Sequence, residues 1–338
     1  RMPSTFVKTS LSIWLFLSGS TLATAQWQPI QIETDASFRS LHLVDMDIAW
    51  AGGSKSTILR TVDGGANWQV FRPGGNLDFR GICGLDHQTA VAMSAGEAEK
   101  GASKILRTSG GGATWKEVFS TAEAGVFLDC IKFKDQSTGY VLGDPIGGKP
   151  YVLKTTDGGR SWNRIDPAVF PDMLEGEASF ASSNSNISIT GKIVRFSTQS
   201  RIFMSNDEGK SWKVYQTPFD QGTTAGIFGL YFVSKKMGFA VGGDYVNDKA
   251  DYPNIARTRD GGKTWQFTES AQPPGLKESV WQIGKKRYLA VGTSGSSLSA
   301  DGGQNWQSAG DTPYHVIQCV GKTCLAIGAN GQLATWKN

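Results

Sequence analysis

Four side chains in this 338-residue sequence are of the types that glycoside hydrolysis uses: Asp144, Glu177, Asp244 and Tyr245. Two carboxyl groups roughly 5 to 9.5 Å apart can protonate a leaving oxygen and activate a nucleophile, and a Tyr supported by an acid can itself attack. Glu177 with Asp144 or Asp244, or Tyr245 with Glu177, would supply either arrangement. A second set suits recognition. Arg39, Arg80 and Arg201 offer planar guanidinium donors, while Asp129, Glu175 and His315 offer acceptors or a titratable ring. Both sets together can hold a polar ligand by charge-assisted hydrogen bonds or shift one another's pKa. Other chemistry is not signalled. Metal-ligand spacing is missing and the chain has only three His. It also lacks a Gly-rich strand-to-helix fingerprint and any haem or flavin motif, so no metal and no cofactor are expected.

The framework that must position these groups is a repeat. Six segments, residues 61–68, 108–115, 155–162, 205–212, 258–265 and 299–306, follow Ser/Thr-x-Asp-x-Gly-x-x-Trp, the turn called an Asp box. Its acids are Asp63, Asp157, Asp207, Asp260 and Asp301; the second segment has Gly110 instead. Successive Trp stand 47, 47, 50, 53 and 41 residues apart, the length of one four-stranded propeller blade. Asp and Ser/Thr side chains accept bonds from nearby backbone N–H groups, Gly supplies a positive φ, and the Trp anchors the hairpin. Each Asp is therefore occupied by its own turn, and the boxes are read as structural.

Short strands precede each box. In the first repeat they are residues 39–44, 48–51 and 57–60, with 68–71 after the box; comparable blocks begin near Arg80, Asp129, Ala178, Phe228 and Val280. Residues 315–320, 324–327 and 332–336 read as three strands lacking a fourth, and residues 27–32 as a fourth lacking the other three. Pairing the two ends predicts an all-β, seven-bladed β-propeller with Asp-box turns, its ring closed by the N-terminal strand completing the last blade. The boxes occupy one face. Insertions at residues 95–104, 143–151, 171–177 and 242–254 all fall on the other, which is where the candidate residues listed above gather.

Arg1 and Lys8, an apolar run from Leu11 to Leu22 and an Ala-x-Ala before Gln26 predict a signal peptide over residues 1–25, followed by one propeller domain over 26–338. The mature chain is then expected to be secreted or periplasmic, soluble, free of the membrane and monomeric. Without Arg1 and Lys8 it has 32 basic against 30 acidic residues, a balance that gives no reason to expect nucleic acid as a partner. Export permits disulfides. Cys319 and Cys324 flank a four-residue, Gly-containing loop and would face each other in a hairpin, whereas Cys83 and Cys130 read as small buried thiols, with pairing as the alternative.

The repeated Ile-Leu-Arg-Thr-Val-Asp-Gly-Gly-Ala-Asn-Trp pattern resembles the photosystem II stability/assembly factors of the thylakoid lumen and their non-photosynthetic bacterial relatives, across residues 27 to 338. That resemblance implies a binding or assembly role toward an envelope protein through the insertion-bearing face. Asp boxes also occur in sialidases and xyloglucan hydrolases, which implies a glycan ligand and a hydrolase as the alternative. Against it, the sialidase Phe-Arg-Ile-Pro segment has only Phe38-Arg39-Ser40-Leu41 as a counterpart, and no three-Arg clamp can be assigned.

Overall fold

The computed structural model describes residues 26–268 and 271–337; the expected signal peptide lies outside them. Seven four-stranded antiparallel sheets are arranged as the blades of a propeller. Six follow chain order, with Phe38–Leu43, Asp78–Gly84, Leu128–Phe133, Ile187–Thr190, Ala225–Phe232 and Ser279–Gly284 as innermost strands. The seventh combines Val316–Val320, Thr323–Ile327 and Leu333–Lys337 with Gln26–Pro29 from the other end of the sequence, and Trp27 lies opposite Trp336 in that ladder. Innermost strands of successive blades touch all the way round, first against last included. Helix is confined, among the described residues, to the 3-10 turns Ala98–Lys100 and Pro167–Val169.

Alternation along each strand explains why the blades stack. Neighbouring residues point to opposite faces of a sheet, so an apolar pair such as Ile58 and Leu59 feeds two different interfaces. Ile58 packs with Trp50, Phe79 and Ile82 toward the second blade, and Leu59 packs with Leu41, Val316 and Leu325 toward the seventh. Each contact between adjacent blades has such a cluster, and the one between the sixth and seventh includes Trp27. Trp27 also donates its indole N–H to Ser296 Oγ (3.0 Å) and packs against Tyr314 and Trp336.

The repeated turns are built as their residue types require. In the fourth blade Ser205 donates its hydroxyl to Asp207 (2.7 Å) and accepts the N–H of Gly209 (2.8 Å), while Asp207 accepts the N–H groups of Lys210 and Ser211. Gly209 stands at φ 91°, a conformation a side chain would strain, and Trp212 returns its indole N–H to the Gly209 carbonyl. The turn at Gly110 keeps the Thr108 to Gly112 and Trp115 to Gly112 bonds, so it needs no acid to close. Hydroxyl donors from Ser211 and Ser205, with the Ser211 N–H, hold the Asp207 carboxyl down to about 2.

Cys319 and Cys324 are opposite in their hairpin and joined by a disulfide. Cys83 and Cys130 are free and buried, and burial pushes their thiols up to about 11 and about 12. One expected strand is displaced. The innermost strand of the fourth blade begins at Ile187, not near Ala178, because residues 178–186 are used elsewhere.

Two outcomes follow from this fold. Trp27→Ala should lower stability by roughly 3 kcal/mol in urea unfolding, since it removes an aromatic anchor at the closing seam. Asp207 has a depressed folded pKa, so its contribution is present above about pH 4 and lost as pH falls toward about 2. Asp207→Asn should therefore cost stability at pH 6 and converge with the wild type near pH 2, read as melting temperature across that range.

Candidate binding site

Residues 181–186 cross the mouth of the ring on the face opposite the repeated turns. They replace the expected strand with a plug of small polar residues whose hydrogen bonds reach around the ring. Asn184 accepts the Ile131 N–H (2.8 Å) and donates to the Ile82 carbonyl (3.3 Å), bridging the second and third blades. Ser183 donates to the Glu278 carbonyl (2.7 Å) in the sixth. Arg39 and Arg80, from the first and second blades, donate to the carbonyls of Ser182 and Ala181 (3.3 Å each).

Above the plug lies a cleft of about 410 Å³ whose lining includes Arg39, Arg80, Glu278, Phe180, Phe228 and Tyr245. Its polar walls come from equivalent positions in the repeat. Arg39 stands two residues before the core residue Leu41, and Arg80, Asp129, Phe228, Glu278 and His315 hold the same offset from Ile82, Ile131, Leu230, Val280 and Ile317. In four blades the ladder skips this residue at a bulge, in the second blade together with Phe79.

The charges at the mouth are largely paired within the chain. Buried Glu278 accepts from Arg39 through one oxygen (3.3 Å) and is bonded to His315 Nδ1 through the other (2.7 Å), fixing both partners. Arg80 donates its Nε to Asp78 (2.8 Å). Asp129 is buried with one carboxyl oxygen unbonded; burial, then the nearby Asp144 charge, raises its pKa well above the ordinary range, while Arg80 opposes the shift. Burial also lifts Asp144 to about 6. The apolar wall is different in kind. Phe180 and Phe228 stack at 4.1 Å between ring centroids, and Tyr245 stands edge-on to both while remaining 54% exposed.

The sequence candidates thus divide. Arg39, Arg80 and Tyr245 line the cleft, with Asp129 and His315 behind it, but the acids proposed for chemistry are scattered. Glu177 is buried in a two-point ion pair with Arg201, backed by Thr198 and the Leu174 N–H, so neither Glu177 nor Arg201 is presented at the mouth. Asp244 caps its own loop through Val246 and Asn247 and borders a separate groove with Phe219 and Tyr252; burial works against these donors, yet its pKa is lowered. Glu175 is exposed, and its carbonyl accepts from Gln221. Glu177 is thus committed to Arg201, and Asp244 to its own loop. Glu278 and Phe180 are cleft residues outside the sequence candidates, and Phe228 enters there only as a strand start, although the two-residue offset before Val280 marks Glu278 as plainly as it marks Arg39.

No family model matches the chain, and no curated protein matches it. Among solved structures it resembles YCF48 bound to D1 peptide, with 16% identity and a TM-score of 0.66 over 92% of this chain and 97% of that one. YCF48 from Cyanidioschyzon merolae gives 16% identity and 0.64 over 92% and 98%. The WD40 propeller domain of Doa1 gives 11% and 0.61 over 93% and 97%. At these identities the shared property is the fold, a seven-bladed β-propeller.

Asp129 provides a test of the mouth's electrostatics. Its raised folded pKa means that stability falls as pH rises from about 4, because the folded state resists releasing a proton that the unfolded chain gives up. Asp129→Asn should raise the melting temperature at pH 7 and leave it nearly unchanged at pH 3.5. An equal effect at both pH values would show that burial of this carboxyl is not the cause.

Proposed function

We propose that this chain is an exported, non-enzymatic binding or assembly factor that receives a polypeptide segment of an envelope protein at the plugged mouth. The observation that carries this reading is the wall of Phe180, Phe228 and Tyr245. Tyr245 presents its ring to solvent, Phe180 is half-buried and Phe228 lies buried behind them, beside guanidinium groups already anchored by Glu278 and Asp78. A pre-ordered aromatic patch with a polar rim is suited to protein recognition, since little side-chain freedom remains to be lost on binding. Val246, 64% exposed next to Tyr245, extends the apolar surface along the same loop. YCF48 bound to D1 peptide, a propeller of similar fold, supports a peptide as the class of ligand.

The test is selection of 12-residue peptides on the wild-type protein, followed by affinity measurement on Tyr245→Ala and, as a control on the opposite face, Val62→Ser. Tyr245→Ala should weaken the selected peptides by 10-fold or more, as loss of an aromatic anchor does, with Val62→Ser unchanged. Equal binding to all three proteins, or enrichment only of glycans from a parallel array, would overturn the proposal.

A further inference from the structure

Three residues beyond each mouth position, the innermost strands supply a second layer inside the ring. Beneath Asp129 this is Lys132, beneath Glu278 Trp281, beneath His315 Gln318, and beneath Phe228 Tyr231. They border a chamber of about 240 Å³, bounded toward the mouth by the plug residues Ser183, Asn184 and Ser185.

The layer carries one cation and no acid. Lys132 reaches from the third blade across the channel to the sixth, its Nζ 5.8 Å from the centre of the Trp281 ring. No carboxylate pairs with it among the described residues. His42, in the same layer, adds no second charge: burial, followed by the Lys132 charge, holds its imidazole down to about 3, and its Nδ1 accepts the Gly84 N–H (3.1 Å). An ammonium in a narrow, partly apolar chamber has less water around it than one at the surface, so an arriving anion gains more from it. Trp281 and Tyr231 lie together at 4.7 Å between centroids and give a flat apolar wall beside the charge. Gln318 spends its Oε1 on the Leu43 N–H (3.1 Å), so the group it retains for a ligand is an N–H donor.

We infer that this chamber binds a small monoanion with an apolar body, a carboxylate on a short aliphatic or aromatic frame, with the charge on Lys132 and the body against Trp281 and Tyr231. The site is separate from the mouth: the two share no lining residue, the plug residues Ser183, Asn184 and Ser185 border the chamber, and entry on this inference is from the face of the repeated turns.

Calorimetric titration of the whole chain with benzoate, and with benzamide as its neutral counterpart, tests this at matched ionic strength. Benzoate should bind with a sub-millimolar Kd and benzamide at least 10-fold more weakly. Lys132→Met should lose benzoate binding by 10-fold or more, Lys132→Arg should retain it, and Trp281→Phe should abolish the fluorescence change that accompanies it. Tyr245→Ala, at the mouth, should leave benzoate affinity unchanged, so failure here is distinguishable from failure of the peptide-binding proposal. Equal binding of benzoate and benzamide, absence of benzoate binding, or undiminished binding to Lys132→Met would overturn the inference. If Lys132→Met does not fold, the benzoate to benzamide ratio on wild type and Lys132→Arg decides it.

Discussion

The molecule depends on one ladder, the pairing of Gln26–Pro29 with Leu333–Lys337. Every blade buries both of its faces, so a ring missing one seam would expose the apolar clusters on either side and leave a strand edge unpaired. The same ladder makes the sheets equivalent around an axis. Only because they are equivalent do residues at one offset in distant parts of the sequence, such as Arg39 and Glu278, meet at one mouth. Local turns set the hairpins, and closure makes them a site.

Much of this was legible beforehand, for identifiable reasons. The Ser/Thr and Asp turns rest on bonds within five residues, so their chemistry is written locally, as is the Cys319 to Cys324 hairpin. The seventh blade could be deduced because an orphan strand and an incomplete sheet explain each other. The mouth was half legible. Arg39, Arg80, Asp129 and His315 sit at recognisable strand starts, but Glu278 follows a link with no insertion to mark it. The plug was hidden. Its contacts join residues 53 and 102 positions apart, and nothing in the order Ser182, Ser183, Asn184, Ser185 announces them. Glu177 misled for the opposite reason: its acidic type suggested chemistry, while a partner 24 residues away consumes it.

The balance of charge at the mouth explains the kind of surface it is. Arg39 and Arg80 would make a strongly cationic rim if free, but Glu278 and Asp78 hold them, and their remaining donors support the plug. Burying Glu278 is costly without such partners, and with them the arrangement becomes stiff. Selectivity at a stiff mouth comes from fit against the aromatic wall more than from long-range attraction. In the inner layer the relation is reversed, with a lone ammonium among neutral neighbours.

The plug also determines traffic. A propeller bore open at both ends lets solvent and solutes stream from one side to the other, whereas here Ser183, Asn184 and Ser185 stand between two wells, the cleft at the mouth and the inner chamber. On the inference drawn for the inner chamber, a ligand that enters from the face of the repeated turns leaves by the same opening, and its dwell time is governed by that aperture. If the chain lay flat against a larger partner with one face covered, the well on that face would be sealed while the other stayed in exchange with the surroundings.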